Sequence, residues 1–273
     1  MRKIVILVMA LALVFSLAGC ATVKPQASEP GGAASEEPAG VSAAVSGEPE
    51  AAESAAPEVS APADAPSDPS SSYSAYITVK GNAYDRINKK LEANEELYMS
   101  VGMSLFTVSM VDLALIPLTV VSLGEGSEAA LEMLGMTDAK ITNNGNDYSL
   151  TYSDPENGSV TMTCKYDPAT DSVQSTLADA TGKEAMFFEY VRIGGGYASQ
   201  YYMDNGDGTF TLVTSFINET DTAAFGIQSA DAQPASIFGN TSLNKDFVVN
   251  DEAYFILEGD SLTLLENGEA KTY

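Results

Sequence analysis

The chain has 273 residues, with 13 Lys and Arg against 38 Asp and Glu, two Cys, and neither His nor Trp. Without imidazole there is no Ser-His-Asp or Cys-His catalysis, no His-ligated metal, and no side chain that ordinarily titrates near neutral pH. A net charge of −25 argues against nucleic acid and anionic lipid as partners, because both require cationic side chains to neutralise phosphates.

The first twenty residues carry the clearest signal. Arg2 and Lys3 form a positive start, and Ile4 to Phe15 form an uncharged apolar run. That run is too short to span a bilayer and fits a secretory leader. It is followed by Leu17-Ala18-Gly19-Cys20. This tetrad resembles the lipobox of bacterial membrane-anchored lipoproteins. The resemblance is confined to the leader. It implies signal cleavage after Leu17, Ala18 and Gly19, diacylglycerol on the Cys20 thiol, and localisation at the cell membrane on its extracytoplasmic face. Two acyl chains suffice for stable anchoring where one is marginal.

Residues 21–75 hold 15 Ala, 8 of the 12 Pro, and nine acidic residues against Lys24 alone, with Tyr73 as the single aromatic. Such a segment buries too little apolar surface to offset its ordering entropy, so the lipidated Cys and linker are read as 20–75, a disordered acidic tether. As a random coil it reaches about 40 Å, and proline and like charge extend it further, toward or through a wall layer.

Residues 76–273 read as one α+β domain with a net charge of −19. Its start is helical: Asn82 is placed to cap a helix bearing Tyr84, Ile87 and Leu91, and Asn94 before Glu95 and Glu96 to cap a second. From Met99 to Leu123 the only charge is Asp112, and Met99, Met103, Phe106, Met110 and Leu113 recur at helical spacing. Length alone would allow a membrane span. Pro117, the polar positions Ser100, Ser104 and Thr107, and acidic rather than basic flanks favour a buried core helix, with a helix lining an apolar ligand groove as the other reading. Ser127 is placed to cap a short helix through Leu134, with Gly135 just past its end.

Beyond Gly135 the period becomes two, as in Tyr148 to Tyr152, Val160 to Tyr166 and Phe210 to Leu212, with Asn/Asp/Gly/Pro turns between the runs. This predicts an antiparallel meander of about eight strands beneath an N-terminal helical layer. The segment Glu184 to Ile193 is apolar on both parities and is therefore covered on both faces.

Other constellations read as structural. Asp204-Asn205-Gly206-Asp207-Gly208 lacks the ligand spacing of a calcium loop and fits a hairpin turn. Cys164 shares parity with Val160, Met162 and Tyr166 and reads as an inert buried thiol. Tyr197, Tyr201 and Tyr202 fall on both faces of a strand; a platform for stacking on a sugar is one reading, and in a chain without Trp core packing is the favoured one. Asp251, Glu252, Glu258 and Asp260 are near in sequence and read as a solvated acidic face. No catalytic residue, metal ligand or cofactor is assigned. The expected function is a non-enzymatic cell-surface domain that binds a ligand or an envelope protein. An envelope hydrolase using carboxylates or a Ser/Lys pair, or an accessory subunit of a membrane complex, are the alternatives.

Overall fold

Asp68 and Pro69 start the first helix. Asp68 Oδ1 accepts from the backbone N–H of Ser70 and Ser71 at 3.1 and 3.0 Å. Pro69 takes an initial helical position, where a missing N–H is harmless. From this cap α1 runs Pro69–Glu92. The computed structural model describes residues 66–273 apart from 94, 125, 155–157 and 267, and only the backbone at 95, 96, 99, 100, 103, 107, 110 and 266. The leader and its Leu17, Ala18, Gly19 and Cys20 lie outside the described residues.

The expected boundary at 75/76 therefore cuts through α1, and Asn82 is an exposed residue within the helix rather than its cap. The cause is local. Composition averaged over 55 residues hides a strong cap and Tyr73, which like Tyr76 just past that window is 1% exposed. With Lys80, Ala83, Ile87 and Leu91 they form the buried face of α1, at the spacing a 3.6-residue turn demands.

The second helix, α2, runs Glu95–Ala114, and Pro117 falls in a short 3-10 turn, Ile116–Thr119. Leu97, Val101, Leu105, Val108 and Val111 are buried, while Tyr98 and Phe106 are 53% and 44% exposed. The core face of α2 is thus the valine and leucine stripe, and Phe106, a member of the Met/Phe stripe singled out by spacing, points away from it. Among the described residues no helix is long and apolar enough to cross a membrane. The third helix, α3, is Ser127–Met133, with Gly126 as its cap and Ser127 as its first residue.

Eleven strands follow, not about eight: β1 Thr137–Asn144, β2 Asp147–Asp154, β3 Gly158–Asp167, β4 Ser172–Ala178, β5 Glu184–Ile193, β6 Gly196–Asp204, β7 Phe210–Asn218, β8 Thr222–Ala230, β9 Ala253–Glu258, β10 Ser261–Glu266 and β11 Glu269–Thr272. They form one sheet in chain order, each strand antiparallel to the next. The two edge strands carry the weakest pattern. Every residue of β11 is exposed and β1 buries only Ala139, so neither carries an in/out alternation to detect. The β1 edge is also guarded: Glu128 of α3 accepts from the Ile141 N–H at 3.3 Å, occupying a donor that would otherwise be open to strand addition.

The two faces of the sheet have different covers. On the inner face Leu150, Met162, Cys164, Phe188, Tyr190, Tyr201, Val213, Phe225 and Leu257 join the helices in one core, and α1 packs on β3, β6, β7 and β8. On the outer face the long β8–β9 connection, 231–252, returns across the middle strands as a strap. Ile237 packs with Val191, Ile193 and Ala198, and Val248 with Ala224 and Ile256. Gly226 makes room for it, since a Cβ there would stand 2.1 Å from the Val248 carbonyl oxygen. The two-sided burial of β5 follows from these covers, helix on one side and strap on the other.

Candidate functional site: a polar groove on the outer sheet face

The strap is fastened by Glu189, a fully buried carboxylate on the outer face of β5. It accepts from Gln174 Nε2 at 2.5 Å, Gln200 Nε2 at 2.9 Å, Ser236 Oγ at 2.5 Å and the Ile237 N–H at 2.9 Å. Gln200 Nε2 also reaches the Ala235 carbonyl at 2.8 Å, and the Gly239 N–H reaches Ser172 Oγ at 3.1 Å. Four donors on one carboxylate compensate its desolvation. They also commit it to structure.

At Phe238 the strap meets β3, where Lys165 Nζ sits 5.1 Å from the ring centroid. Beyond it the outer face of β1 to β4 is open and forms a groove of 560 Å³. Register explains its chemistry. One transverse row is Thr142, Ser149, Thr163 and Thr176, paired in succession across four strands. The neighbouring row, two residues along, is Asn144, Asp147, Lys165 and Gln174. Thr163 Oγ1 and Thr176 Oγ1 share a hydrogen bond of 2.6 Å, and Gln174 is turned to Glu189. Strands about 4.8 Å apart spread the four hydroxyls over about 14 Å. Lys165 and Asp147 are the only charged residues in the lining, so the groove is near neutral within a strongly acidic domain.

Comparison of the chain with protein-family models, curated proteins and solved structures returned no match. The groove is therefore read from its own chemistry.

A second, smaller cavity of 170 Å³ lies among Lys90, Ala93, Leu97, Leu262 and Tyr273. Neither cavity is lined by a described side chain of 99–123, the stretch considered above as the wall of an apolar groove.

The remaining sequence candidates fall into structural roles. Cys164 is free and buried, and burial, aided by the Asp147 charge, pushes its thiol up to about 12. A thiol held protonated in this way is a poor nucleophile. Tyr197, Tyr201 and Tyr202 are 3%, 3% and 7% exposed, so none is left free as a platform. Tyr202 instead stacks on Phe210 with centroids 4.3 Å apart. The Asp204–Gly208 segment is a hairpin turn: Asp204 pairs with Lys183 and accepts from the Gly206 N–H at 2.7 Å, and Asp207 accepts from the Thr209 N–H at 3.0 Å. Glu252 binds Ser229, Glu258 pairs with Lys245 at 2.5 Å and Asp260 faces Lys90 at 3.6 Å. These three carboxylates are thus engaged with separate partners. Among the described residues no three His, Cys, Asp or Glu side chains could hold a metal ion.

Sequence reasoning missed two buried polar centres in addition to the one at Glu189. Asp171 is fully buried at positive φ (48°). It accepts from Ser72 Oγ at 2.5 Å, Tyr197 OH at 3.1 Å and Tyr166 OH at 3.3 Å, with Arg192 at 3.8 Å. Tyr190 OH lies 2.6 Å from the same serine oxygen. Lys80, 3% exposed, pairs with Asp112 at 2.6 Å and lies 5.6 Å from the Tyr76 and Tyr84 ring centroids. A signal existed for the second, since Asp112 is the lone charge between Met99 and Leu123 and needs a cation when buried.

Proposed function

We propose that the chain is a bacterial lipoprotein, held on the extracytoplasmic face of the cell membrane by acyl chains on Cys20, whose tethered α+β domain binds a ligand or envelope partner without converting it. The observation that carries the anchor is Leu17-Ala18-Gly19-Cys20 behind a short basic and apolar leader. The non-enzymatic reading is supported by the fate of the reactive groups. Glu189 and Asp171 are consumed by structural hydrogen bonds, Cys164 is held as a buried thiol, and the carboxylates an envelope hydrolase would use are dispersed among separate partners. The polar groove on β1 to β4 is the surface open to a ligand.

Replacing Cys20 with Ser tests the anchor. The variant is expected to leave the membrane fraction and appear in the soluble one at unchanged total amount. Undiminished membrane retention would overturn the assignment.

A further inference from the structure

We infer that the groove on the outer face of β1 to β4 binds a segment of a neutral, hydroxyl- and acetamido-bearing oligosaccharide. Three observations meet there. The lining pairs a row of hydroxyls (Thr142, Ser149, Thr163, Thr176) with the amide of Asn144 and with Gln174, whose nitrogen is held by Glu189 and whose oxygen can accept; together these groups donate and accept and so match sugar hydroxyls and acetamides. A volume of 560 Å³ lies within the range of small-molecule sites, about 300–1,000 Å³. The charge pattern selects against the alternatives: one cation and one anion in the lining, inside a domain of net charge −19, give no basis for holding an anionic glycan and repel one at long range.

The hydroxyl row runs across strands, so its repeat is the strand spacing of about 4.8 Å. An extended polymer laid along that row meets a fresh hydroxyl at each strand. Phe238 of the strap lies beside Lys165, in the row next to the track. The one ring in the described lining, Tyr148, is half-buried and shares the inner-face register of Cys164, so recognition rests on hydrogen bonds and the affinity is modest. The location of such a glycan rests on the lipid-anchor reading, which puts the domain on the outer side of the membrane. The chemistry of the groove does not depend on it.

The probe is the tetramer of N-acetylglucosamine, titrated into the full chain and followed by amide chemical shifts, with an anionic oligosaccharide and a wall stem peptide alongside. The expected result is saturable shifts at Ser149, Thr163 and Gln174, and at least a tenfold loss of affinity in the Thr163→Val, Ser149→Ala double variant. The matched control is Thr263→Val, which breaks the exposed Thr263–Thr272 hydroxyl pair of 3.0 Å on β10 and β11 and should leave binding unchanged. Circular dichroism verifies the fold of each variant. No saturable shift with the tetramer, equal binding by the double variant, or preference for the anionic glycan or the peptide would each overturn the proposal. Failure here with normal Cys20-dependent anchoring would leave the lipoprotein reading standing, and the reverse outcome would leave the groove standing.

Discussion

Ser72 Oγ donates to Asp171 Oδ1 at 2.5 Å, joining the first turn of α1 to a turn of the sheet 99 positions away. Tyr190 OH completes the contact from β5. The Ser-rich stretch before residue 76 is therefore an integral part of the core. A chain beginning at 76 loses Ser72 and the buried Tyr73 together, which takes one donor from Asp171 and leaves Tyr190 OH without the serine it meets. Unsatisfied buried polar groups cost about 1–3 kcal/mol each, and loss of a buried aromatic about 3–5 kcal/mol. The chain beginning at 66 should show a cooperative urea transition, while the one beginning at 76 should be unfolded or have a far lower midpoint. Equal midpoints would show that the contact is dispensable.

The Lys80–Asp112 pair predicts an unusual pH response. Burial raises the Asp112 pKa, and Lys80 opposes that rise. In Lys80→Met the opposition is gone and a carboxylate is left in the helix interface, a loss of about 3 kcal/mol at neutral pH. A group whose folded pKa lies above its unfolded value favours the fold when protonated, so this loss should shrink as pH falls toward the ordinary carboxylate range. Urea midpoints of the variant and the parent should converge on acidification. The double variant Lys80→Met, Asp112→Leu should recover most of the loss at every pH, and a pH-independent gap between Lys80→Met and the parent would refute the account.

The meander and the helical start were legible because period-2 runs such as Val160 to Tyr166 and the apolar spacing of Ile87 and Leu91 are local signals. What stayed hidden depends on distant residues. The strap 231–252 has no regular pattern, since its order comes from Glu189 and from close contact at Gly226. The two-sided burial of β5 was readable, but not which element lay on the outside. The groove arises from a register that aligns Thr142, Ser149, Thr163 and Thr176, and register is a property of paired strands rather than of any one of them.

Glu189 makes the strap testable. Glu189→Leu removes the acceptor for two glutamine amides, Ser236 and the Ile237 N–H, and a loss of about 3 kcal/mol or more is expected. Because those partners lie on the strap and its floor, limited proteolysis should cut within 231–252 well before the sheet unfolds. Glu189→Gln should give an intermediate effect, as its amide nitrogen must face at least one of the existing donors. Cleavage no faster than in the parent would place the strap's hold in its apolar contacts instead.

The tyrosine-rich core sets the alkaline limit of the fold. Burial raises the pKa values of Tyr73, Tyr76 and Tyr190, whose rings lie within 6.4 Å of one another, with Tyr76 stacked on Tyr190 at 4.7 Å. In the unfolded chain these phenols titrate near pH 10, about their model value. The folded state keeps protons that the unfolded state releases, so the stabilisation is complete below about pH 10 and falls as pH rises, by about 1.4 kcal/mol per unit for each such group. Lys80 acts in the same direction. Its own burial would lower its pKa, but Asp112 and the neighbouring tyrosines raise it well above the usual lysine value. Several groups acting together give a steep loss. Phenolate absorbance of the core tyrosines should therefore appear in the same narrow pH interval as the collapse of the β-sheet circular dichroism signal. Gradual ionisation of all thirteen tyrosines near pH 10 with the sheet intact would mean that the inner face is open to water and that the core described here is not closed.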